Sequence, residues 1–504
     1  MYLSKQKVKL LALSLLLSTS ILACQQYASA QEVILEDREP EAATGFNEKD
    51  FEATSQYMVA AANPYAAWAG KQIIDKGGSA IDAAVAVQAM LTLVEPQSSG
   101  IGGGAFIMYW DNTEKKLYTF DGRETAPKSV NPYVFLEKGE PMKWRDAVVG
   151  GKSVGVPGVL RALEMAQTKF GMLPWKDLFE DTIKQAREGF VVSPRLARLI
   201  ELDLHPGLNV FPASSNYFKP EGKPLKEGEL KQNPLLGSSL QKIALGGADA
   251  FYKGDIADNI ATAVRTVTIN AGGMQASDIA EYQAIERSPM CNAYHEYRIC
   301  GMAPPSSGGV TVYQILKTLE RFKLKQYQAD SAEFVHLFSQ ASALAFADRD
   351  YYVADLDFLD MPVVPLVSPA YLRERSQKIA LNKAFEIAEA GMPYPNVQVA
   401  QDDAYELMST SHISIVDKQG NAVSMTSSIE FMFGSGIMVD GFLLNNQLTD
   451  FAINPMRNNS MVLNRAEPGK RPRSAMSPTM VFDQDNSLKL VLGSPGGSRI
   501  INYV

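Results

Sequence analysis

Histidine and cysteine, two residue types that often carry catalysis or structural bonds, are rare in this sequence. Its 504 residues include four histidines and three cysteines. The histidines are His205, His295, His336 and His412. None stands in a metal-ligand spacing such as H-E-x-x-H, so no catalytic metal is expected. The chain also lacks a run of basic residues and has a formal net charge of −8, so nothing in it points to a surface for nucleic acid or anionic membranes.

Long apolar runs are also scarce. After the N-terminal region no apolar stretch reaches 18 residues, so no transmembrane anchor is expected. At the N-terminus, three lysines at positions 5, 7 and 9 precede an apolar run over 10–23, which is typical of an export signal. We expect cleavage after Ala30, and the alternative is a lipoprotein signal with Cys24 lipidated. In both interpretations the protein is exported and is periplasmic or secreted.

The other two cysteines, Cys291 and Cys300, flank a short segment. A tight hairpin centred on 295–296 would set them opposite each other. In an oxidising compartment this arrangement predicts a disulfide, and the alternative is two separate thiols.

Hydrophobic residues make up 46% of the chain and charged residues 21%, which is typical of a globular protein with a large core. Helical spacing dominates before residue 410 and strand alternation after it. Helices are predicted at 64–77, 79–93 and 331–349, and residues 158–188 carry helical spacing. Strands are predicted at 106–109, 413–415, 422–429, 481–482 and 488–492. Because no strand–helix–strand unit repeats, this order predicts an α+β layered sandwich and not a doubly wound sheet.

Two short motifs match known signatures but lack their context. Gly100, Gly102 and Ala105 fit the dinucleotide-binding pattern, which needs a strand before it and a helix after it, and here the predicted order is reversed. Residues 151–155 fit the nucleophile elbow, but their flanks do not resemble a strand running into a helix. We interpret both as glycine-rich loops.

Five motifs carry a resemblance to a known family, and they occur in the family's order. They lie at 77–86, 304–309, 409–417, 444–447 and 493–498. Together they resemble the γ-glutamyltransferases, which belong to the N-terminal-nucleophile hydrolases, and the resemblance spans about residues 58 to 504. It implies a four-layer αββα sandwich and an enzyme that needs no cofactor.

The resemblance also implies a precursor that cuts itself between Ser409 and Thr410. A threonine hydroxyl is a weak nucleophile, and the free α-amino group of an N-terminal threonine serves as its base. In the intact chain that nitrogen is an amide, so the precursor is expected to be inactive as a hydrolase. The expected divisions are a signal at 1–30, a loose leader at 31–56, a large subunit at 57–409 and a small subunit at 410–504, with the polar segment 380–408 as the cleavable linker.

Three further residues match the family's catalytic positions. Ser428 stands where the family has a hydroxyl that bonds to the nucleophile. Gly496 and Gly497 match the backbone N–H groups of the oxyanion hole, which stabilise the charge that develops during acyl transfer.

A γ-glutamyl group ends in an α-carboxylate and an α-ammonium, and the resemblance assigns residues to both. Arg123 and Ser474 match the carboxylate-binding residues, and a guanidinium suits a carboxylate because it can bind with two parallel N–H groups. Gln447 and Asp450 match the ammonium-binding residues, and Glu430 adds a second negative charge there. Glutathione is the expected donor, and water, an amino acid or a peptide is the expected acceptor.

Three features depart from the family. Ala475 stands where a second serine is common, the lid segment 454–465 is short and has no tyrosine, and the chain ends at Val504, so part of the small subunit is expected to be missing. The first two favour an alternative on the same scaffold: a poly-γ-glutamate hydrolase or transpeptidase, or a β-lactam side-chain acylase. The third favours an alternative of another class, an unprocessed and inactive chain.

Overall fold

The computed structural model describes residues 52–394, 397–404, 406 and 409–504. The predicted signal, Cys24 and residues 31–51 of the predicted leader lie outside the described residues. Within the described residues, no helix is both long and apolar enough to cross a membrane.

Helices and strands alternate irregularly along the chain. The helices are α1 (Pro64–Asp75), α2 (Ala80–Val94), α3 (Trp144–Val148), α4 (Val159–Phe170), α5 (Glu180–Glu188), α6 (Pro194–Glu201), α7 (Gly207–Val210), α8 (Pro212–Phe218), α9 (Pro234–Gly246), α10 (Asp249–Tyr252), α11 (Asp255–Thr266), α12 (Ala276–Ala280), α13 (Gly308–Leu319), α14 (Ala332–Tyr352), α15 (Pro369–Gln377) and α16 (Ile500–Tyr503). The strands are β1 (Met58–Ala60), β2 (Gly104–Asp111), β3 (Lys116–Gly122), β4 (Leu136–Glu137), β5 (Glu140–Pro141), β6 (Phe190–Val191), β7 (Leu230–Lys231), β8 (Ile285–Arg287), β9 (Met290–Tyr294), β10 (Tyr297–Gly301), β11 (Ser411–Val416), β12 (Ala422–Ser428), β13 (Met438–Val439), β14 (Phe442–Leu443), β15 (Met456–Arg457), β16 (Ser460–Met461), β17 (Thr479–Phe482) and β18 (Leu488–Leu492).

Ten of these strands form two antiparallel sheets. The larger sheet has six strands in the order β1-β11-β12-β2-β3-β8, and the smaller has four in the order β18-β17-β10-β9. In the larger sheet β12 lies between β11 and β2, so strands from either side of residue 410 are neighbours. Both predicted subunits therefore share each sheet.

Successive side chains of β2 pack alternately into two layers of the hydrophobic core. Phe106, Met108 and Trp110 pack in the apolar cluster between the two sheets. Ile107 and Tyr109 point the other way, into the larger cluster under the helices. Successive side chains of a strand face opposite sides of a sheet, so a strand that is apolar throughout must be covered on both faces.

Helices cover the outer face of each sheet. α2 is buried along its whole length and packs on β11 and β12, and Ser79 caps its first turn in a reciprocal pair of hydrogen bonds with Asp82. On the other side, α13 packs on β9 and β10, and α14 packs on α13. The order helix, sheet, sheet, helix confirms the predicted αββα sandwich.

The structure contains helices and strands where the sequence predicts them, although their bounds differ in places. The strands predicted around 413–415 and 422–429 are β11 and β12, and the helix predicted at 331–349 is α14. The helical spacing over 158–188 belongs to more than one helix: α4 ends at Phe170, a short 3-10 turn follows at Trp175–Phe179, and α5 then begins at Glu180. Gly171 and Pro174 interrupt the helix there, because proline has no backbone N–H and glycine costs more conformational entropy than other residues.

The hairpin β9–β10 has the register that the cysteine spacing predicts. Cys291 lies directly opposite Cys300, and their sulfur atoms are joined as a disulfide.

The two motifs interpreted as loops are loops. A helix precedes Gly100 and the strand β2 follows it. Ser153 is buried in a 3-10 turn within hydrogen-bond distance of the Val148 carbonyl, at 2.6 Å, so it is not an exposed nucleophile.

Candidate active site

Thr410, the predicted nucleophile, lies at the entry of β11, where strand pairing decides its neighbours. β11 and β12 pair so that Ser411 is opposite Ser427, which brings the preceding Thr410 beside Ser428. Thr410 Oγ1 lies 3.3 Å from Ser428 Oγ, and Thr410 is only 4% exposed. The register of one hairpin therefore pairs the two predicted hydroxyls.

The Ser428 hydroxyl links Thr410 to the carbonyl of the peptide bond predicted to be cut. It donates to the Ser409 carbonyl oxygen at 2.9 Å and accepts from the Glu430 backbone N–H at 2.9 Å. A hydroxyl has one proton to donate, so with that proton on the Ser409 oxygen it accepts from Thr410. The hydrogen bonds thus form a directed line from Thr410 through Ser428 to the Ser409 carbonyl.

The loop after α2 holds both sides of this peptide bond. Ser409 Oγ donates to the Gln97 carbonyl at 2.7 Å, and Ser99 Oγ donates to Ser411 Oγ at 3.0 Å. All four residues are buried. The loop therefore holds the residues on both sides of Thr410, while Ser428 holds the Ser409 carbonyl.

His412, two residues after Thr410, is a packing residue and not a base. Its Nδ1 lies 2.9 Å from Thr426 Oγ1 and its Nε2 lies 2.9 Å from Ser414 Oγ. Burial lowers the pKa of His412 to about 3, so the ring is neutral at pH 7. A Cβ at Gly493 would lie 2.2 Å from this ring, so the strand and the loop toward Gly496 are in close contact.

Gly496 and Gly497 lie in the turn that follows β18. Their φ angles are 137° and 55°, which residues with a Cβ rarely adopt. Gly497 lines the same cavity as Thr410. No acceptor in the described part of the chain pairs with either backbone N–H, which is the state that a predicted oxyanion hole requires.

Arg123 is completely buried, and most of its guanidinium is already bonded. Nε donates to the Pro472 carbonyl at 3.1 Å, and Nη2 donates to the Arg473 carbonyl at 2.8 Å. Nη2 also pairs with the Asp450 carboxylate, and Nη1 lies 3.6 Å from Glu124 Oε2. Among the described residues Nη1 has no partner at hydrogen-bond distance, and because Nε and Nη2 are bonded, Arg123 does not offer two free parallel N–H groups to a further carboxylate.

Gln447 and Asp450 lie together in the 3-10 turn Gln447–Asp450. Gln447 Nε2 donates to Asp450 Oδ2 at 2.8 Å. The other two oxygens, Gln447 Oε1 and Asp450 Oδ1, are buried and have no hydrogen-bond partner among the described residues. Buried unpaired acceptors are unfavourable unless a donor arrives, and an ammonium group supplies three donors.

Two carboxyl groups near Arg123 have raised pKa values. Burial raises the pKa of Glu124 to about 8, although Arg123 opposes the shift, so this group is mostly neutral at pH 7. Burial also raises the pKa of Asp450 to about 6; Arg123 lowers it and Glu406 raises it. At pH 7 Asp450 is therefore mostly a carboxylate and balances the charge of Arg123.

The remaining predicted residues lie around the same cavity. Glu430 has a φ of 77°, and its carboxylate accepts from the Asn446 side chain. Ser474 Oγ accepts from the Met476 backbone N–H at 3.1 Å, and Ala475 beside it is buried.

Three further charged side chains at the site correspond to no sequence motif. Arg349 pairs with the Glu406 carboxylate, and Arg473 Nε lies 3.5 Å from the same oxygen. Glu406 precedes the predicted cleavage site by three residues. The sequence holds one signal for Arg349: it follows Ala345 of the apolar stripe of α14 by four residues, a spacing that indicates a buried face.

Most predicted site residues line one small cavity. They are Arg123, Thr410, Ser428, Glu430, Gln447, Asp450, Ser474 and Gly497. Glu406 lines it too, and its volume is about 20 Å³, which is room for one water molecule and not for a γ-glutamyl group. Among the described residues no group of histidine, cysteine, aspartate or glutamate side chains is arranged to hold a metal ion.

Comparison with known proteins identifies relatives over most of the chain. The profile of the family described as Gamma-glutamyltranspeptidase matches residues 66–504. The chain is 39% identical over 459 residues to the glutathione hydrolase proenzyme of Bacillus subtilis strain 168, and this match covers 89% of the chain and 76% of that protein.

Two solved structures have the same fold. The γ-glutamyltranspeptidase of Helicobacter pylori matches with a TM-score of 0.65 and 29% identity, over 70% of this chain and 100% of that chain. A cephalosporin acylase from Bacillus halodurans matches with a TM-score of 0.75 and 26% identity, over 91% of this chain and 82% of that chain. With the profile match and the 39% identity, these likenesses show that the chain belongs to the γ-glutamyltranspeptidase family.

Proposed function

We propose that this chain is an autoprocessing γ-glutamyltransferase and glutathione hydrolase whose nucleophile is Thr410. The observation that carries the proposal is the directed line of hydrogen bonds from Thr410 through Ser428 to the Ser409 carbonyl. It borders a cavity that also contains Arg123 and Asp450. Self-cleavage needs the hydroxyl line, and γ-glutamyl transfer needs groups that bind a zwitterion beside it.

Self-cleavage begins with attack of Thr410 Oγ1 on the Ser409 carbonyl carbon. Ser428 accepts the proton of the Thr410 hydroxyl while its own proton moves toward the carbonyl oxygen, along hydrogen bonds that are already formed. The C–N bond then breaks and the nitrogen takes a proton. The product is an ester between Ser409 and the Thr410 side chain.

Water hydrolyses that ester and leaves a carboxylate on Ser409. Thr410 regains its hydroxyl and gains a free α-amino group, whose ordinary pKa is about 8. This amine is the base that the uncut chain lacks. The proposed mature protein is a heterodimer of a large subunit, residues 31–409 with the leader 31–56, and a small subunit, residues 410–504.

The mature enzyme transfers a γ-glutamyl group in two steps. Thr410 Oγ1 attacks the γ-carbonyl carbon of the donor, and the α-amino group takes the hydroxyl proton and delivers it to the leaving amine. Water, an amino acid or a peptide then attacks the γ-glutamyl ester. The N–H groups of Gly496 and Gly497 stabilise the oxyanion of both steps.

The two ends of the donor are distinguished by charge. The unpaired oxygens of Gln447 and Asp450 receive the α-ammonium, and Glu430 adds negative charge on the same side. Arg123, through Nη1, and Ser474 receive the α-carboxylate. Glutathione is the proposed donor because it ends in this γ-glutamyl group.

The site of action follows from the N-terminal sequence. The lysines before 10–23 and the small residues before Ala30 support export to the periplasm or the medium. Lipidation of Cys24 is the alternative form of the exported protein.

N-terminal sequencing and intact-mass measurement of the purified protein test the proposal. Two chains are expected, the smaller beginning Thr410-Ser411-His412, and Thr410→Ala is expected to remain one chain with an unchanged melting temperature. The cut protein should release cysteinylglycine from glutathione. A folded wild-type chain that stays intact would contradict the proposal, as would a cut protein without this activity.

A second candidate function is acylase activity on β-lactam side chains or cleavage of γ-linked glutamate polymers. Ala475 removes one hydroxyl from the carboxylate side, and the lid segment is only the short hairpin β15–β16. The structural likeness to a cephalosporin acylase supports the same candidate. Relative kcat/KM on glutathione, a glutaryl amide and a γ-glutamate polymer decides between them.

A further inference from the structure

A buried ion pair lies at the start of the loop that follows α2, and no step of the proposed mechanism uses it. Glu95 is 2% exposed, and its Oε2 lies 2.7 Å from Nη1 of Arg195, the second residue of α6. The same carboxylate accepts from the side-chain amides of Asn63, at 2.8 Å, and of Gln97. Because Asn63 caps α1, the ends of three helices meet at this one carboxylate.

The ion pair also sets the course of the loop. The Glu95 backbone carbonyl accepts from the N–H groups of Ser98, at 3.0 Å, and of Ser99, at 3.3 Å. Arg195 Nη1 donates to Ser98 Oγ at 2.8 Å, so one guanidinium nitrogen contacts both the carboxylate and the loop. The position of Ser98 therefore depends on both members of the pair.

This loop contacts both ends of the self-cleavage line. The Gln97 carbonyl accepts from Ser409 Oγ at 2.7 Å, and Ser98 Oγ lies 3.4 Å from the same hydroxyl. The Ser98 carbonyl accepts from the backbone N–H of Ile429, the residue after Ser428, at 3.3 Å. The loop therefore holds the residue that carries the scissile carbonyl and the strand end that carries the hydroxyl bonded to it.

Strand register alone does not fix the scissile carbonyl. The ladder between β11 and β12 begins at Ser411, so Ser409 lies two residues before the first paired position. The Thr410 and Ser428 hydroxyls are 3.3 Å apart, which is longer than most O–H···O hydrogen bonds. A displacement of about 1 Å from a reactive geometry can slow a reaction about a hundred-fold, so the contacts that hold Ser409 affect the rate of its cleavage.

We propose that Glu95 and Arg195 are positioning residues for self-cleavage: together they fix the loop that holds Ser409 while Thr410 attacks its carbonyl. The inference rests on the proposed function. In the hydrogen bonds and ion pairs of the described residues neither side chain contacts the reacting atoms, so the pair acts through the loop. After cleavage Ser409 is a chain end that no longer has to be aligned, so the pair serves cleavage and not γ-glutamyl transfer.

Arg195→Met and Arg195→Lys test the pair in the full chain. Arg195→Met keeps an unbranched side chain and loses its charge, so self-cleavage should slow about ten- to a hundred-fold. Arg195→Lys should cut within about three-fold of the wild-type rate, because a single nitrogen makes both contacts and an ammonium group has three donors. Cell-free synthesis with a short labelling pulse, followed by denaturing electrophoresis, measures the rates below the melting temperature of each variant.

A double variant separates alignment from stability. Arg195→Met removes the cation from a buried carboxylate, which is unfavourable, so this variant should also melt at a lower temperature. Glu95→Gln combined with Arg195→Met removes both charges, so it should melt closer to wild type and still cut slowly, because the contact with Ser98 is lost. Per cut chain, kcat/KM on a γ-glutamyl anilide and on a glutaryl anilide should stay within about two-fold of wild type in both variants.

Arg161→Met is the matched control for the loss of a cation. The Arg161 side chain is 19% exposed, close to the 24% of Arg195, and it pairs with Glu164 and Asp249, outside the loop after α2. It should cut at the wild-type rate. Equal slowing in Arg161→Met and Arg195→Met, a wild-type rate in Arg195→Met, or a loss of transfer as large as the loss of cleavage would overturn the inference alone. A folded wild-type chain that stays uncut would overturn the proposed function with it.

Discussion

The hydroxyl side of the site and its charged side are built in different ways. The hydroxyl side consists of Thr410, Ser428 and the Ser409 carbonyl, which belong to one hairpin and carry no charge. The charged side joins distant segments: Arg123 and Asp450 are 327 positions apart, and Arg349 reaches Glu406 across 57.

On the proposed mechanism, this difference separates self-cleavage from γ-glutamyl transfer. Neutral hydroxyls need only strand register to meet, so the self-cleavage line is complete in the uncut chain. Buried charges need partners, and in the uncut chain these come from the protein itself, with Asp450 on Arg123 and Glu406 on Arg349. On the proposed mechanism, the hydroxyl side is ready before cleavage, whereas the charged side would accept a donor only after it.

The largest expected effect comes from breaking the hydroxyl side alone. Ser428→Ala removes the group that passes the Thr410 proton to the Ser409 carbonyl, so self-cleavage should slow about a hundred-fold. The fraction of cut chain over time, followed by denaturing electrophoresis, measures it. Ser428→Thr keeps the hydroxyl and should cleave at nearly the wild-type rate, and equal rates in the two variants would show that no proton passes through this residue.

Removing a charge from the charged side of the site should leave self-cleavage unchanged. Asp450→Asn keeps the size of the side chain and loses its charge, so the KM of a γ-glutamyl donor should rise about ten- to a hundred-fold while the chain still cuts itself. The variant should also be less stable, because Arg123 loses its partner. Steady-state kinetics and the cleavage time course are measured on one preparation. A cleavage defect as large as the binding defect would mean that the two sides are not separate.

Lowering the pH should also affect the hydroxyl side and the charged side of the site differently. The pKa of Asp450 is about 6 in the uncut chain, where burial and Glu406 raise it, so in the cut enzyme it should lie at or below this value. As pH falls through that pKa, the carboxylate that binds the ammonium becomes neutral, and donor KM should rise about ten-fold per pH unit. A pH profile of KM measures this. The glutaryl anilide, which has no ammonium, should not show the rise.

The smallest expected effect concerns the contribution of Glu124, the carboxyl group beside Arg123, to the stability of the fold. The pKa of Glu124 is raised from 4.5 to about 8, so folding favours its protonated form. Its contribution to stability is complete below pH 4.5 and is lost as pH rises toward 8. Wild type should therefore lose melting temperature over this range, and Glu124→Gln, which stays neutral, should lose about 2 °C less. Parallel melting curves of the two proteins would contradict the raised pKa.

Local patterns in the sequence predicted the parts of the fold that depend on neighbouring residues. The helix α2, the alternation in β11 and β12, and the hairpin around Cys291 and Cys300 all follow from residues close together in the chain. The helical spacing over 158–188 did not show where one helix ends and the next begins, because apolar spacing continues across Gly171 and Pro174, where the helical backbone is interrupted. The partners of Arg123 and the role of Arg349 could not be predicted this way, because a charged residue on a helix is usually solvated.

The sequence by itself determined the family, through five motifs in order, and the hydroxyl pair, since the spacing of Thr410 and Ser428 on adjacent strands brings them together. Only the tertiary structure decided which buried charged groups pair with each other. It showed that the guanidinium of Arg123 is largely bonded, that Gln447 and Asp450 each keep an oxygen with no hydrogen-bond partner among the described residues, and that Glu406 lines the cavity. Strand register is a local property of the chain, whereas the pairing of buried charges depends on which distant segments the completed fold brings into contact.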